Sequence, residues 1–475
     1  MSESLPSKLI DKHNKRGRSL ISYRYPDRGG TIPEQAPNIL YIHSHDTGRI
    51  VQPYGFQVPT PNIQMLADQG VLFREAFCAA PTCSGSRASL LTGLYCHNNG
   101  MLGLAHRGWK LNDYSRHWVH ALRQAGYRST LIGEQHISED PGVIGFDEVV
   151  EVGSSRAEDV APLTIEALRG AGPEPWFMSV GFFETHRDFF APTSVRDTLY
   201  SLPPANLPDV VATRRDMAAF KASARALDQG VGAVLHALHD FDLVENTVVI
   251  CTTDHGVAFP HAKATLSDRG IGVMMIVRGP RGFGGGKVVD AQVSHLDVYP
   301  TLCELAGVEP PGWLQGASLM PLVRGEVDRL HEEIFAEVTF HAAYEPQRAV
   351  RGERWKYIRR FDEYPYPVLA NCDDSDSKDL LVAAGWGERE VPRERLYDLV
   401  LDPGEGEDLA ARPEFEEQLA EMRARLERWM RETDDPLLDG PVAPPPGALV
   451  NEQWQVSPNE PLRVSGDPMA APSRP

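Results

Sequence analysis

The 475-residue chain is 42% hydrophobic and carries 47 basic against 66 acidic residues, a formal net charge of −19. Its length exceeds one ordinary core and predicts a large domain with a smaller one attached; the acidic balance excludes a nucleic-acid footprint and leaves any anionic substrate to be drawn by a local basic pocket. The six cysteines (Cys78, Cys83, Cys96, Cys251, Cys303 and Cys372) form no CxxC pair, which argues against a zinc knuckle or a disulfide framework.

Met1 to Lys8 lacks the apolar run of a signal peptide and no later run approaches a membrane span, so the expected address is cytoplasmic, with no membrane partner. Residues 1–36 are polar and rich in Arg, Gly and Pro, and are expected to wrap over the surface or to mediate contact in a homo-oligomer. The fold begins at Asn38, where an apolar run with β-branched residues ends in His45-Asp46 and reads as a buried parallel strand. Leu66 to Phe77 reads as a helix and a short strand, leading into a short helix that holds Cys83 and stops at Gly93. Tyr127 to Gly133, Trp176 to Phe183, Thr247 to Asp254 and Val273 to Arg278 read as further strands, with helices at His120 to Gly126 and Arg214 to Phe241. This alternation predicts an α/β fold, a mainly parallel central sheet flanked by helices, over residues 37–325.

A helix from Asp297 to Gly307 closes that part, and the texture then changes. Glu333 to Val338, Arg348 to Arg360 and Arg395 to Val400 read as strands and Pro413 to Glu432 as a charged amphipathic helix, which predicts a smaller C-terminal antiparallel sheet plus helix over 326–440. The acidic patch from Asp373 to Asp379 reads as a solvated loop, and the Pro-rich tail, 441–475, as an extended dimer arm.

The stretch with the most chemistry is Ala80 to Gly93. Cys83 falls in the first turn of the predicted helix, where unpaired N–H groups favour a phosphate- or sulfate-like anion and depress a thiol pKa. Arg87, four residues on, projects on the same face and can take two oxygens of a tetrahedral anion. In open α/β sheets the ligand sits at the carboxyl ends of the strands. Four predicted strands end there in groups able to bind metal or move protons: His45-Asp46, Glu134-Gln135-His136, His186, and Asp254-His255. Their convergence would be hard to explain as packing, because buried Asp and His need partners. Asp46, Asp254 and His255 are the candidate ligands of a divalent cation beside Cys83, with His45 in or near that shell.

Cys83-x-x-x-Arg87, followed by Ala-Ser-Leu-Leu-Thr-Gly93, resembles the signature of the type I sulfatases, in the alkaline phosphatase superfamily. The resemblance implies an alkaline-phosphatase-like fold and oxidation of Cys83 to formylglycine by a formylglycine-generating enzyme, the hydrated aldehyde serving as nucleophile. Gly85 stands where that family usually has Pro, sometimes Ala. The family's metal positions, usually two adjacent Asp and then Asp-Asn, suit calcium; here they fall on His45-Asp46 and Asp254-His255. Imidazole favours manganese, zinc or iron, and the Asp-His pair resembles the phosphonate monoester hydrolases of the same superfamily. The resemblance further makes Lys263 the contact to the sulfate and leaving oxygen, His136 the His of a Lys-x-His motif whose Lys is here Glu134, and His186 the leaving-group histidine, a general acid, with Arg187 and Asp188 weaker candidates beside it. The nearest texture is that of the N-sulfoglucosamine sulfohydrolase branch, carried by His97-Asn-Asn-Gly, by Asp228-Gln-Gly-Val-Gly and by the segment from Glu337 to Arg348. Within that segment Glu337 and His341 are candidate pocket residues, and Glu134 is a third.

The implied activity is hydrolysis of a sulfate ester or sulfamate, with a small anionic sulfated substrate. Two alternatives stand beside it: a phosphonate monoester or phosphodiester hydrolase on the same scaffold, favoured by His255 and Glu134, and an unmodified, non-catalytic anion-binding protein, favoured by Gly85.

Overall fold

A computed structural model describes residues 36–466. The predicted 1–35 stretch of the N-terminal extension and the tail beyond 466 lie outside the described residues. In chain order the strands are β1 (Asn38–Ser44), β2 (Val71–Phe73), β3 (Ala76–Phe77), β4 (Arg128–Gly133), β5 (Glu148–Val150), β6 (Trp176–Gly181), β7 (Thr247–Thr253), β8 (Met275–Arg278), β9 (Lys287–Val289), β10 (Val293–Ser294), β11 (Ile334–Phe340), β12 (Tyr344–Arg351), β13 (Trp355–Arg360), β14 (Glu394–Asp398), β15 (Leu449–Val450) and β16 (Arg463–Val464).

Eight of them form the central sheet, in the order β5-β4-β6-β1-β7-β8-β2-β9. The five strands from β5 to β7 run parallel. The predicted fifth strand is β8, and it runs antiparallel to both neighbours. The sheet is thus mainly parallel, as expected, and the reason β8 departs is the connection: no helical crossover of the length a parallel return needs separates Thr253 from Met275, only short turns and a single helical turn at Asp268–Ile271. β1 lies at the middle of the sheet and all seven of its residues are buried. Its side chains alternate between two cores: Ile39 and Tyr41 face one with Trp118, Phe177 and Tyr299, while Leu40 and Ile42 face the other with Val160, Leu227 and Val231. A strand covered on both faces needs apolar residues at every position, which is why the run reads as unbroken hydrophobicity.

The long Val211–Asp240 helix and the Ala157–Arg169 helix cover the second of these faces. The latter helix, which runs unbroken through Pro162, has no counterpart among the sequence-predicted elements. The C-terminal part is a four-stranded antiparallel sheet, β11-β12-β13-β14, covered by the Glu416–Glu432 helix through Leu419, Met422, Leu426 and Trp429. The stretch predicted as one strand from Arg348 to Arg360 is the hairpin β12–β13, turning at Gly352 to Arg354.

Two sequence expectations fail. The Asp373–Asp379 patch is not a solvated loop: Ser375 caps a helix at Asp376–Ala383, and the Asp373 side chain is largely buried against Lys263 at 3.0 Å. The tail, through residue 466, folds back on its own chain instead of extending as an arm. Asn451 takes a hydrogen bond from Arg107 at 2.7 Å and bridges to Ala343, and β15 pairs with β16. Among the described residues no helix is long and apolar enough to cross a membrane.

Candidate active site

The carboxyl ends of β1 and β7, adjacent and in register at Ser44 and Thr253, deliver Asp46 and Asp254 side by side. Thr185 holds the end of β1 from beneath, its N–H donating to the His45 carbonyl at 2.6 Å and its hydroxyl to the Asp46 carbonyl at 3.1 Å. Asp46 adopts φ +54°, His136 φ +54°, His261 φ +61° and Ala264 φ +62°. Left-handed backbone at non-glycine residues is uncommon and costs free energy, so its occurrence at the β1 and β4 ends and in the Lys263 loop marks where the chain is bent to aim side chains.

Cys83 opens the Cys83–Thr92 helix, whose ten residues are all buried and which ends at Gly93 with φ +67°. Thr82 precedes it in extended conformation without a side-chain cap, so the first-turn N–H groups keep their partial positive charge beside the thiol. Cys83 Sγ lies 3.4 Å from His255 Nε2 and 4.0 Å from Asp46 Oδ1. Burial alone would push this thiol up, but Lys263 and His45 hold it well below the ordinary cysteine range. The distinctive Gly85 has a local explanation. A Cβ there would meet Thr82 Oγ1 at 2.8 Å and Cys96 Sγ at 3.1 Å, so the Cys96 thiol occupies the room that a larger residue at position 85 would claim.

Around Cys83 the charges alternate. Asp46 accepts from Lys263 Nζ at 2.8 Å and pairs with His45 Nδ1 at 2.8 Å and His255 Nε2 at 3.2 Å. Asp254 faces His45 Nδ1 at 3.2 Å and Arg87 Nη2 at 3.0 Å, and its other oxygen accepts from the backbone N–H of Asp46 and His255. Burial opposes the charge on both carboxylates; Lys263 and His45 hold Asp46 well below the usual range, and His255 and His45 hold Asp254 at about 2. Donor atoms of His45, Asp46, Cys83 and Asp254 all lie within 4.8 Å of one another. Two buried carboxylates, the His45 imidazole and the Cys83 sulfur fit a divalent cation; His255 falls outside that set, its Nε2 3.2 Å from Asp46 and 3.8 Å from Asp254.

The other predicted residues fall into two groups. Lys263, His186 and His136 come to the site: His186 Nε2 is 3.5 Å from Lys263 Nζ, and the rings of His186 and His136 lie 4.6 and 5.7 Å from that of His45. Glu134 is close enough for His136, His45 and Arg87 to draw its pKa down against its burial, and His341 stands within electrostatic reach of Asp373. Arg87 is present but does not have the free fork expected of it. One terminal nitrogen donates to His43 Nδ1 at 2.5 Å and the other to Asp254 and to the Ser44 carbonyl, which leaves only Nε without a partner among the described residues. Arg187 is spent in a bidentate pair with Asp216 at 2.7 and 2.8 Å.

Glu337 is not a pocket residue. Its carboxylate accepts from the His97 backbone at 3.1 Å and from His97 Nδ1 at 2.9 Å, and pairs with Arg348 at 3.2 Å in a buried cluster with Asp435. Burial opposes ionisation there, but His97 and Arg348 bring Glu337 down to about 2. A depressed carboxylate stabilises the fold above its unfolded pKa of about 4.5, and that contribution is lost as pH falls from there to about 2. On the order of 3 kcal/mol is at stake. Urea midpoints measured between pH 6 and pH 2.5 are therefore expected to fall more steeply for the wild type than for Glu337→Gln, the two curves converging at the acid end.

The sequence missed three residues of the site. Asp373 pairs with Lys263, His106 Nδ1 meets His136 Nε2 at 2.8 Å, and His43 supports Arg87. His43 alone had a signal, two residues before His45 on the same strand face.

The chain matches the sulfatase family over residues 37–308 and the C-terminal region of N-sulphoglucosamine sulphohydrolase over residues 258–376. It is 30% identical to human N-sulphoglucosamine sulphohydrolase across 81% of this chain and 88% of that one. It is 27% identical to an ulvan-active sulfatase of Formosa agariphila, across 92% of this chain and 80% of that one. A solved 2-O GAG sulfatase superposes with a TM-score of 0.68 over 85% of this chain and 94% of that one, at 24% identity, and so shares its fold. With the mainly parallel sheet, the Cys83 helix and the carboxylates at the ends of β1 and β7 in place, the chain belongs to the sulfatase family of sulfuric ester hydrolases.

Proposed function

We propose that the chain hydrolyses a sulfate ester or sulfamate borne on a carbohydrate, after oxidation of Cys83 to formylglycine by a formylglycine-generating enzyme. The observation that carries this reading is the position of Cys83 Sγ, buried in the first turn of its helix between His255, Asp46 and the Lys263 ammonium. Relatives named for carbohydrate sulfates support the substrate class.

Formylglycine would supply a geminal diol at position 83, one hydroxyl of which is the nucleophile toward sulfur. A divalent cation held by Asp46, Asp254 and His45 would supply Lewis acidity to a sulfate oxygen and to that hydroxyl; the imidazole points to manganese or zinc ahead of calcium. The chain's own groups do the rest. Lys263 and the helix N-terminus face the developing negative charge. Lys263 and His186, 3.5 Å apart, stand ready to protonate the departing oxygen or nitrogen. His136, supported by His106, is placed to take the proton whose loss expels sulfate.

Intact-mass spectrometry is expected to show residue 83 about 18 Da lighter than Cys, as the side-chain conversion requires. Metal analysis of the same sample is expected to return about one equivalent of a transition metal. An unmodified thiol with tight sulfate-ester binding and no turnover would instead support the non-catalytic reading. Glu134, at the position where the family resemblance implies Lys, and His255 favour a second reading, hydrolysis of phosphonate monoesters. Parallel kinetics with sulfate ester, sulfamate and phosphonate monoester decide between them by kcat/KM.

A further inference from the structure

A cavity of about 420 Å³ lies beside the catalytic centre, between the loop that carries Lys263 and the C-terminal sheet. Lys263 and Cys372 form part of its wall, but none of Asp46, Cys83, Arg87, Asp254 or His255 does. It adjoins that centre through Lys263 alone among the site's charged residues named above. A second cavity of about 240 Å³ shares Asn206, His261, Thr265 and Arg395 with it and prolongs it along β13 and β14. Together they fall within the size range of small-molecule sites, about 300–1,000 Å³.

The walls are chemically unfinished. Asn206 Oδ1, Arg395 Nε and Arg269 Nε are buried without a hydrogen-bond partner, a state that native interiors rarely leave unexplained. Each residue is tethered through another atom: Asn206 Nδ2 donates to the Pro260 carbonyl at 3.1 Å, Arg395 Nη2 to Gln347 Oε1 at 2.5 Å, and Arg269 Nη2 to the Gly404 carbonyl at 2.7 Å. The tethers hold these three side chains in place at the cavity wall. Two carboxylates oppose these guanidiniums. Glu405 is matched by Lys356 at 2.8 Å, and Glu345 takes the Asn371 amide at 2.9 Å. With Arg389 also on the wall, the balance is locally basic in a chain of net charge −19. Trp386, its ring centroid 4.7 Å from that of His261, adds an aromatic face.

We propose that this cavity is a second ligand site, taking a saccharide that carries an oxyanion. Guanidinium forks pair with a planar carboxylate or a sulfate, the Asn206 amide and Glu345 match ring hydroxyls, and the indole covers the C–H face of a pyranose. The site needs no modification of Cys83.

Calorimetric titration of the full-length protein tests it, with an unsulfated uronate disaccharide, a neutral disaccharide and a sulfated monosaccharide as probes. The uronate or the sulfated probe is expected to bind at one equivalent and at least about tenfold tighter than the neutral one; which of the two prevails identifies the oxyanion. Arg395→Ala and the milder Asn206→Ala are expected to weaken binding at least about fivefold, with unchanged melting temperatures showing that both variants fold. Trp386→Phe is expected to remove the fluorescence change on binding. No binding by any probe, or binding that both variants leave intact and inorganic sulfate displaces, would overturn the proposal. Neither outcome depends on whether residue 83 matures or turns over substrate, so failure here is distinct from failure of the sulfatase reading.

Discussion

Cys83→Ala is expected to lower kcat/KM for a sulfated saccharide by about four to six orders of magnitude, the range seen when a covalent nucleophile is removed from an otherwise intact site. The fold should survive it. The replaced thiol makes one contact of 3.4 Å with His255 and one of 4.0 Å with Asp46, and exchanging a buried sulfur for hydrogen costs about 1 kcal/mol, at the low end of large-to-small core changes. Lys263, His186 and the paired carboxylates stay in place, so substrate binding is expected to persist while turnover disappears. That split between KM and kcat separates a lost nucleophile from a damaged pocket. A variant that retained more than a hundredth of wild-type activity would mean that the attacking group lies elsewhere.

How far the sequence can be read depends on whether a residue's role is local. The parallel strands are legible because burial on both faces demands an unbroken apolar run, and β1 and β7 supply one. The helix at Cys83 is legible from its own turn chemistry and Gly93. The direction of β8 is not, since an apolar run reads the same in either sense and only the short connection from β7 decides it. At the site, the strand-end groups His45, Asp46, Asp254 and His255 can be named because topology alone brings strand ends together. Asp373 cannot. It lies among acidic residues that otherwise belong to a capped surface helix, and its pairing with Lys263 joins positions 110 residues apart through tertiary packing. Glu337 errs the other way: its segment carries family likeness, but its carboxylate is taken up in a buried charge cluster with His97, Arg348 and Asp435. Arg87 lies where the sequence puts it but has a different task, because the sequence shows a cation near an anion seat and does not show that Asp254 reaches it first.

That reassignment has a consequence for Arg87→Ala. Arg87 is 2% exposed and Asp254 likewise, and truncating one partner of such a buried pair leaves the other charged without compensation, at a cost of about 3–5 kcal/mol. The loss of the bonds to His43 and the Ser44 carbonyl adds to it, since that carbonyl ends β1 at the point where Asp46 is presented. Activity is expected to drop by about two to three orders of magnitude, the effect of losing one preorganised electrostatic contact. The mechanism would be displacement of Asp254, and not loss of a direct grip on the anion. Arg87→Lys distinguishes these. An ammonium keeps the charge opposite Asp254 but cannot serve His43, Ser44 and Asp254 together, so it is expected to recover most of the stability and only part of the rate. Asp254→Asn in the Arg87→Ala background should cost far less than the sum of the single changes when urea midpoints are compared in chelator, because the second substitution removes the charge that the first left stranded. If the two costs simply add, Arg87 and Asp254 are not energetically coupled, and Arg87 returns to the role of a clamp on the substrate.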